Sequence, residues 1–256
     1  MKKEDIVKES FRQRLKQGDL LIGTFMTLPS SEIAEIFAET GYDWLFVDME
    51  HTTLDVKDVQ CILQAVGKKC SCIVRVPSSD ETWLKKVLDA GVDGVIIPHV
   101  NTADEVRRIV KTCLYPPEGS RSVGLARAQK YGLQFEDYVK NANQTVAIIP
   151  QIEHIDGVQN IEEIVKVPGI SAIFIGPYDL SGSLGKLGEI HDPQVQKSIA
   201  KIYDSCTQAG LPVGIFSMDT EVASFYIEHG FTLITVGMDI LFIGDSAKDT
   251  LRKLRK

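Results

Sequence analysis

Eight short runs rich in β-branched and aromatic residues alternate along this chain with longer stretches of helical period, and that alternation leaves few folds open. In order they read LLIGTFM, WLFVDMEH, SCIVRVP, GVIIPHV, VAIIPQIE, AIFIGPYD, PVGIFS and LITVGMD. Several are nearly continuous in apolar residues, as strands covered on both faces are. Between them lie helical candidates such as SSEIAEIFAETG, with a serine cap and a closing glycine, TADEVRRIVKTCL and DTEVASFYIEHG. Eight β/α repeats in 256 residues match the length and period of an α/β TIM (β/α)8 barrel. One domain, residues 1–256, is expected, because no Pro/Ser-rich stretch, charge block or low-complexity tract reads as a linker. A doubly wound open sheet is the rival. It would carry a Gly-rich phosphate turn after its first strand, and IGTFMTLPSS has none.

The net charge of −7 and the lack of an Arg/Lys stripe argue against a nucleic-acid partner, whose binding needs cations to displace counterions. The opening MKKEDIVKESFRQRLKQG is charged throughout, so no signal peptide is expected. No apolar run approaches the roughly 18 residues that span a bilayer. A soluble, cytoplasmic protein with no membrane partner is the expectation. Cys61, Cys70, Cys72, Cys113 and Cys206 include no C-x-x-C pair and read as free thiols, several of them buried.

A barrel presents its chemistry at the carboxyl ends of its strands. There strand two offers Asp48, Glu50 and His51, strand three Arg75, strand four His99, strand five Gln151 and Glu153, strand six Asp179 and strand eight Asp239. Period-two alternation sets Asp48 with Glu50, and Gln151 with Glu153, on one side of their strands, so both pairs can point into one mouth. Glu153 and Asp179, without cysteines or clustered histidines, suit a hard divalent cation that keeps several waters, magnesium or manganese best. Such a site leaves room for a chelating 2-oxo acid, whose carboxylate backbone amides near Gly176-Pro177 can approach. The other reading of Asp179 is a helix cap. Arg75 in mid-barrel requires a partner. It either pairs with Asp48 or Glu50, or faces the oxygen that gains charge when a C–C bond beside a carbonyl breaks. His51 is the strand-end histidine placed beside two carboxylates, neighbours that raise its basicity. His99 is a site or a core histidine, and His154, His191 and His229 read as loop or helix residues. A Schiff-base aldolase needs a lysine at a strand end, and none of the eight offers one. The long excursion YPPEGSRSVGLARAQKYG between strands four and five is either a surface loop or a functional element over the mouth.

The fragments VDMEH, VRVP, LDAGVDGVIIPHV, YPPEGSRSVG, PQIE and IFIGPYDLSGSLG, in this order, resemble the HpcH/HpaI family of metal-dependent pyruvate aldolases from about Gly23 to the end of strand eight. The resemblance implies reversible cleavage of 4-hydroxy-2-oxo acids into pyruvate and an aldehyde through a metal-stabilised enolate. It assigns Glu153 and Asp179 to the divalent metal, magnesium or manganese with cobalt or zinc as further candidates. Gln151 and the backbone of Gly176, Pro177 and Tyr178 would hold substrate, His51 would be the base and Arg75 would stabilise the enolate, with Asp48 and Glu50 behind them. Asp89 in LDAG matches an aspartate that assists the histidine across a subunit interface. A homo-oligomer, a hexamer with an exchanged C-terminal helix, is implied as well. Two related lyases share the scaffold, one acting on an acyl-CoA thioester and one decarboxylating a 2-oxo diacid. A non-catalytic binding module is the alternative of a different class. The segment after GSRSVG is shorter than in the best-known pyruvate aldolases of the family, which leaves the aldehyde open.

Overall fold

All eight runs form strands, β1 Leu21–Met26, β2 Trp44–Asp48, β3 Ser71–Arg75, β4 Gly94–Ile97, β5 Ala147–Ile152, β6 Ile173–Ile175, β7 Val213–Ser217 and β8 Leu233–Met238. In this computed structural model, which describes residues 9–255, they pair in parallel in chain order, and β8 pairs back to β1 to close a TIM-type barrel. Residues 1–8, the start of the charged N-terminal stretch, and residue 256 lie outside the described residues.

Helix α1 (Phe11–Gln17) precedes β1. Helices α2 (Ser31–Thr40), α3 (Val56–Val66), α4 (Glu81–Ala90) and α5 (Ala103–Cys113) follow the first four strands, and α6 (Phe135–Thr145) leads into β5. After β5 come α7 (Ile155–Gln159) and α8 (Ile161–Ile164), after β6 α9 (Pro177–Ser183) and α10 (Pro193–Gln208), after β7 α11 (Thr220–Glu228), and after β8 α12 (Asp239–Leu254). The caps are those expected. The Ser30 hydroxyl accepts from the Ile33 N–H at 3.2 Å, and Gly41 closes α2 with φ 95°, a backbone only glycine adopts at little cost.

Alternation along the strands sorts the core in two. Trp44, Phe46, Ile73, Ile149, Phe174 and Leu233 fill the inside of the barrel, while Leu45, Val47, Val74, Ile148 and Ile175 pack outward against the helices. Helix α1 plugs the amino-terminal end: Phe11 and Leu15 join the inner cluster, and the Arg12 guanidinium donates to the Asn143, Val146 and Gly169 carbonyls. The polar residues gather at the carboxyl end.

Two expectations need correction. Segment 115–132 does not cover the mouth. It follows helix α5 rather than a strand, so the chain is by then at the amino-terminal end, where Arg127 donates to the Ala90 and Leu63 carbonyls at 2.9 and 3.3 Å. The sixth strand stops at Ile175, and Asp179 belongs to the first turn of α9 rather than to a strand end.

Four of the five cysteines are buried, and burial pushes the Cys113 and Cys206 thiols up to about 12. The thiolate is the reactive form, so at pH 8 the folded protein should yield only the half-buried Cys61 to a maleimide, and the others only after denaturation. Mapping labelled peptides by mass spectrometry checks this. Among the described residues no helix is long and apolar enough to cross a membrane.

Candidate active site

Asp48 and Arg75 sit opposite each other in the register of β2 and β3, at the last residue of each strand. The pair is bidentate: Arg75 Nε donates to Asp48 Oδ1 at 2.9 Å and Nη2 to Oδ2 at 2.8 Å, with both side chains buried. Two residues on, Glu50 Oε2 lies 3.1 Å from Arg75 Nε and 3.7 Å from His51 Nε2. Both pairings foreseen for Arg75 are therefore made. Nη1 has no hydrogen-bond partner among the described residues. Burial opposes the Arg75 charge, but the Asp48 hydrogen bonds and the charges of Asp48, Glu50 and Glu153 outweigh it and hold the proton more tightly than usual. Burial raises the Glu50 carboxyl, against the pull of Arg75.

Beyond β4 the backbone of His99 turns left-handed, with φ 57°, a sparsely populated conformation for a residue with a side chain. The turn aims its N–H at Glu153 Oε1, 2.7 Å away. Its ring spans two carboxylates, with Nδ1 3.2 Å from Glu153 Oε1 and Nε2 3.0 Å from Glu50 Oε1. His99 is thus no core histidine: its side chain is 65% exposed. On β5 and just past it, Gln151 and Glu153 are buried side by side, the Gln151 amide donating to Glu153 Oε2.

Gly176 makes this packing possible. A Cβ there would stand 2.8 Å from Glu153 Oε2 and 3.0 Å from Gln151 Nε2. Its φ of −94° suits any residue, so close approach and not backbone freedom requires the glycine. Pro177 follows at the first position of α9, where its missing N–H costs nothing, leaving Tyr178 and Asp179 to supply the first N–H groups.

Asp48, His51, Arg75, Gln151, Gly176 and Asp179 open on one cavity of about 430 Å3 at the carboxyl end of the barrel. Against this geometry, the sequence model of the HpcH/HpaI aldolase/citrate lyase family matches residues 21–243. The chain belongs to that family. It is 38% identical over 252 residues to a hydroxypyruvate/pyruvate aldolase of Paraburkholderia phytofirmans, covering 95% of this chain and 96% of the relative. It is 38% identical to a 4-hydroxy-2-oxovalerate aldolase of Rhodococcus jostii, covering 90% of each. The crystal structure of an HpcH/HpaI aldolase/citrate lyase family protein from Burkholderia cenocepacia superposes with a TM-score of 0.92 at 37% identity, over 96% of this chain and 98% of that one.

Membership in the HpcH/HpaI family poses the question of a divalent cation, and the oxygens present fit one. Gln151 Oε1 is buried with no hydrogen-bond partner among the described residues, Asp179 is exposed to the cavity with none, and Glu153 lies behind Gly176. Among the described residues no group of three or more His, Cys, Asp or Glu is disposed to hold a metal. The two carboxylates are hard ligands, few enough to leave positions open, and the Gln151 amide oxygen beside them is free to meet a bound acid.

Two carboxylates of the expected set stand elsewhere. Asp239 is fully buried and turned to the β1 loop, where it accepts from the Thr27 N–H (2.7 Å) and hydroxyl (2.5 Å), the Leu28 N–H and the Ile240 N–H. This clamp holds Thr27 and Leu28, which line the cavity, and residue type alone could not separate it from a ligand. Asp239→Ala orphans four donors and should cost about 3 kcal/mol in urea unfolding. Asp89 ends α4 at the opposite end of the barrel, paired with the buried Arg121 at 2.7 Å, so it cannot reach His51 of its own chain.

Proposed function

We propose that this protein is a divalent-metal-dependent aldolase, a carbon–carbon lyase that reversibly cleaves a 4-hydroxy-2-oxo acid into pyruvate and an aldehyde. The observation that carries the reading is the convergence of Arg75, His51, Gln151 and Asp179 on one cavity, with Glu153 immediately behind it. Glu153 and Asp179 would hold the cation, magnesium or manganese, which when bound supplies Lewis-acid polarisation of the 2-oxo group.

The chain's own residues do the rest. Gln151 and the backbone around Tyr178 hold the acid. His51, 63% exposed at the mouth, takes the proton from the C4 hydroxyl and the C3–C4 bond breaks. Charge moves to the 2-oxygen, which the unpartnered Nη1 of Arg75 meets, and the pyruvate enolate is then protonated. Asp48 and Glu50 hold the guanidinium in place from the other side.

Asp89 would assist His51 of a second copy, and two features support a homo-oligomer. Asp89 faces away from its own mouth, and α12 leaves Phe242, Ile243 and Leu251 exposed on a helix with only Asp239 buried. Exchange of that helix between copies would cover them. Light scattering should report a particle of six 28.4 kDa chains, and a monomer would remove Asp89 from the mechanism. Free thiols and the absence of a spanning helix among the described residues support a cytoplasmic setting.

The deciding experiment is pyruvate release from a panel of 4-hydroxy-2-oxo acids, with EDTA and with magnesium or manganese restored. Release that stops with EDTA and returns with metal is expected. Release indifferent to EDTA would sink the metal reading, and thioester loss without pyruvate release would move the assignment to a related lyase.

A further inference from the structure

The mouth of the barrel is divided by polarity. The ends of β2 to β6 bring every charged group that lines the cavity. The ends of β7, β8 and β1 bring none: Phe216, Met238, Ile240, Phe25 and Leu28 form an apolar wall on the same cavity. The Phe25 and Phe216 rings meet edge to face at 4.9 Å, and the Tyr178 ring, 6.2 Å from Phe216, extends the wall toward α9.

The charges opposite this wall leave nothing for an anionic tail. Arg75 is the one lysine or arginine lining the cavity among the described residues, and Asp48 and Glu50 hold it. Asp179, the other carboxylate on the cavity, is the one assigned to the divalent cation and offers an anionic tail no donor. A tail ending in carboxylate or phosphate would lose its hydration against Phe25 and Phe216 with no lysine or arginine on that wall to compensate. An alkyl or aryl tail would displace water from the wall, worth about fourfold in binding per methylene.

We infer that the aldehyde partner is uncharged and apolar, so that the 4-hydroxy-2-oxo acid carries an alkyl or aryl group beyond C4 seated on the Phe25, Phe216 and Met238 wall. This rests on the aldolase reading of the site.

The test compares 4-hydroxy-2-oxoheptanoate with 4-hydroxy-2-oxoheptanedioate, which share a chain length and differ in a terminal methyl or carboxylate. Pyruvate release by the manganese-loaded enzyme should give a kcat/KM about tenfold or more higher for the monoacid. Equal or better cleavage of the diacid overturns the inference and leaves the aldolase reading standing. No pyruvate from either acid, nor from any of the panel, removes that reading and the inference together. Phe216→Lys places a cation on the wall at a half-buried position and should raise the diacid-to-monoacid ratio of kcat/KM about tenfold or more. Ile240→Lys repeats the swap at an exposed position, should Phe216→Lys not fold. An unchanged ratio in a folded variant would show that the tail lies elsewhere.

Discussion

Arg75→Lys should lower kcat for pyruvate release by about a hundredfold or more, the scale of losing one preorganised donor to a developing oxyanion. The geometry says why lysine is no substitute. The guanidinium meets Asp48 through Nε and Nη2 at 2.9 and 2.8 Å and leaves Nη1 without a hydrogen-bond partner among the described residues. An ammonium is a point charge that can satisfy the carboxylates or turn to the substrate, not both in one fixed geometry. The Asp48 and Glu50 carboxylates would also draw it away from the 2-oxygen. Steady-state kinetics on the manganese-loaded variant, with folding checked by circular dichroism, measures the effect. Full turnover would remove Arg75 from the mechanism and leave it a structural cation between two carboxylates.

Asp179→Asn separates the two readings that the sequence leaves open for this residue. Asp179 occupies the first turn of α9, where a carboxylate favours the helix by at most about 1 kcal/mol. As a cap, its loss would lower stability slightly and leave activity intact. As a ligand, exposed to the cavity with no hydrogen-bond partner among the described residues, its loss should leave stability unchanged. Metal affinity and turnover should then fall by about a hundredfold, at or beyond the upper end of what losing a group behind a ligand costs. Urea unfolding of the metal-free protein and manganese titration of the same sample give both answers. Lower stability with undiminished manganese binding would return Asp179 to the helix.

The pairs read from the period of two are the pairs the barrel builds. Asp48 and Glu50 both reach Arg75, and Gln151 reaches Glu153, because alternate residues on a strand must point the same way. The errors share a cause. Asp239 and Asp179 both follow an apolar run, yet one is consumed by four donors of a neighbouring loop and the other stands free on a short helix. The excursion at 115–132 reads in sequence as a surface loop or an element over the mouth, and helix α5, which carries the chain to the opposite end of the barrel, excludes the second. For His99 the strand end is legible but the choice between site and core is not, since a left-handed φ at a non-glycine residue is imposed by its surroundings.

The sequence by itself determined the eight strands, their parallel order and the charged residues that line the mouth, because hydrophobic period and strand polarity are local properties that closure only assembles. Which carboxylates remain available for chemistry was decided by the tertiary structure. A carboxylate is spent or spared according to the donors that other parts of the chain bring within 3 Å. Those donors, from Thr27 for Asp239 and Arg121 for Asp89, lie 212 and 32 residues away.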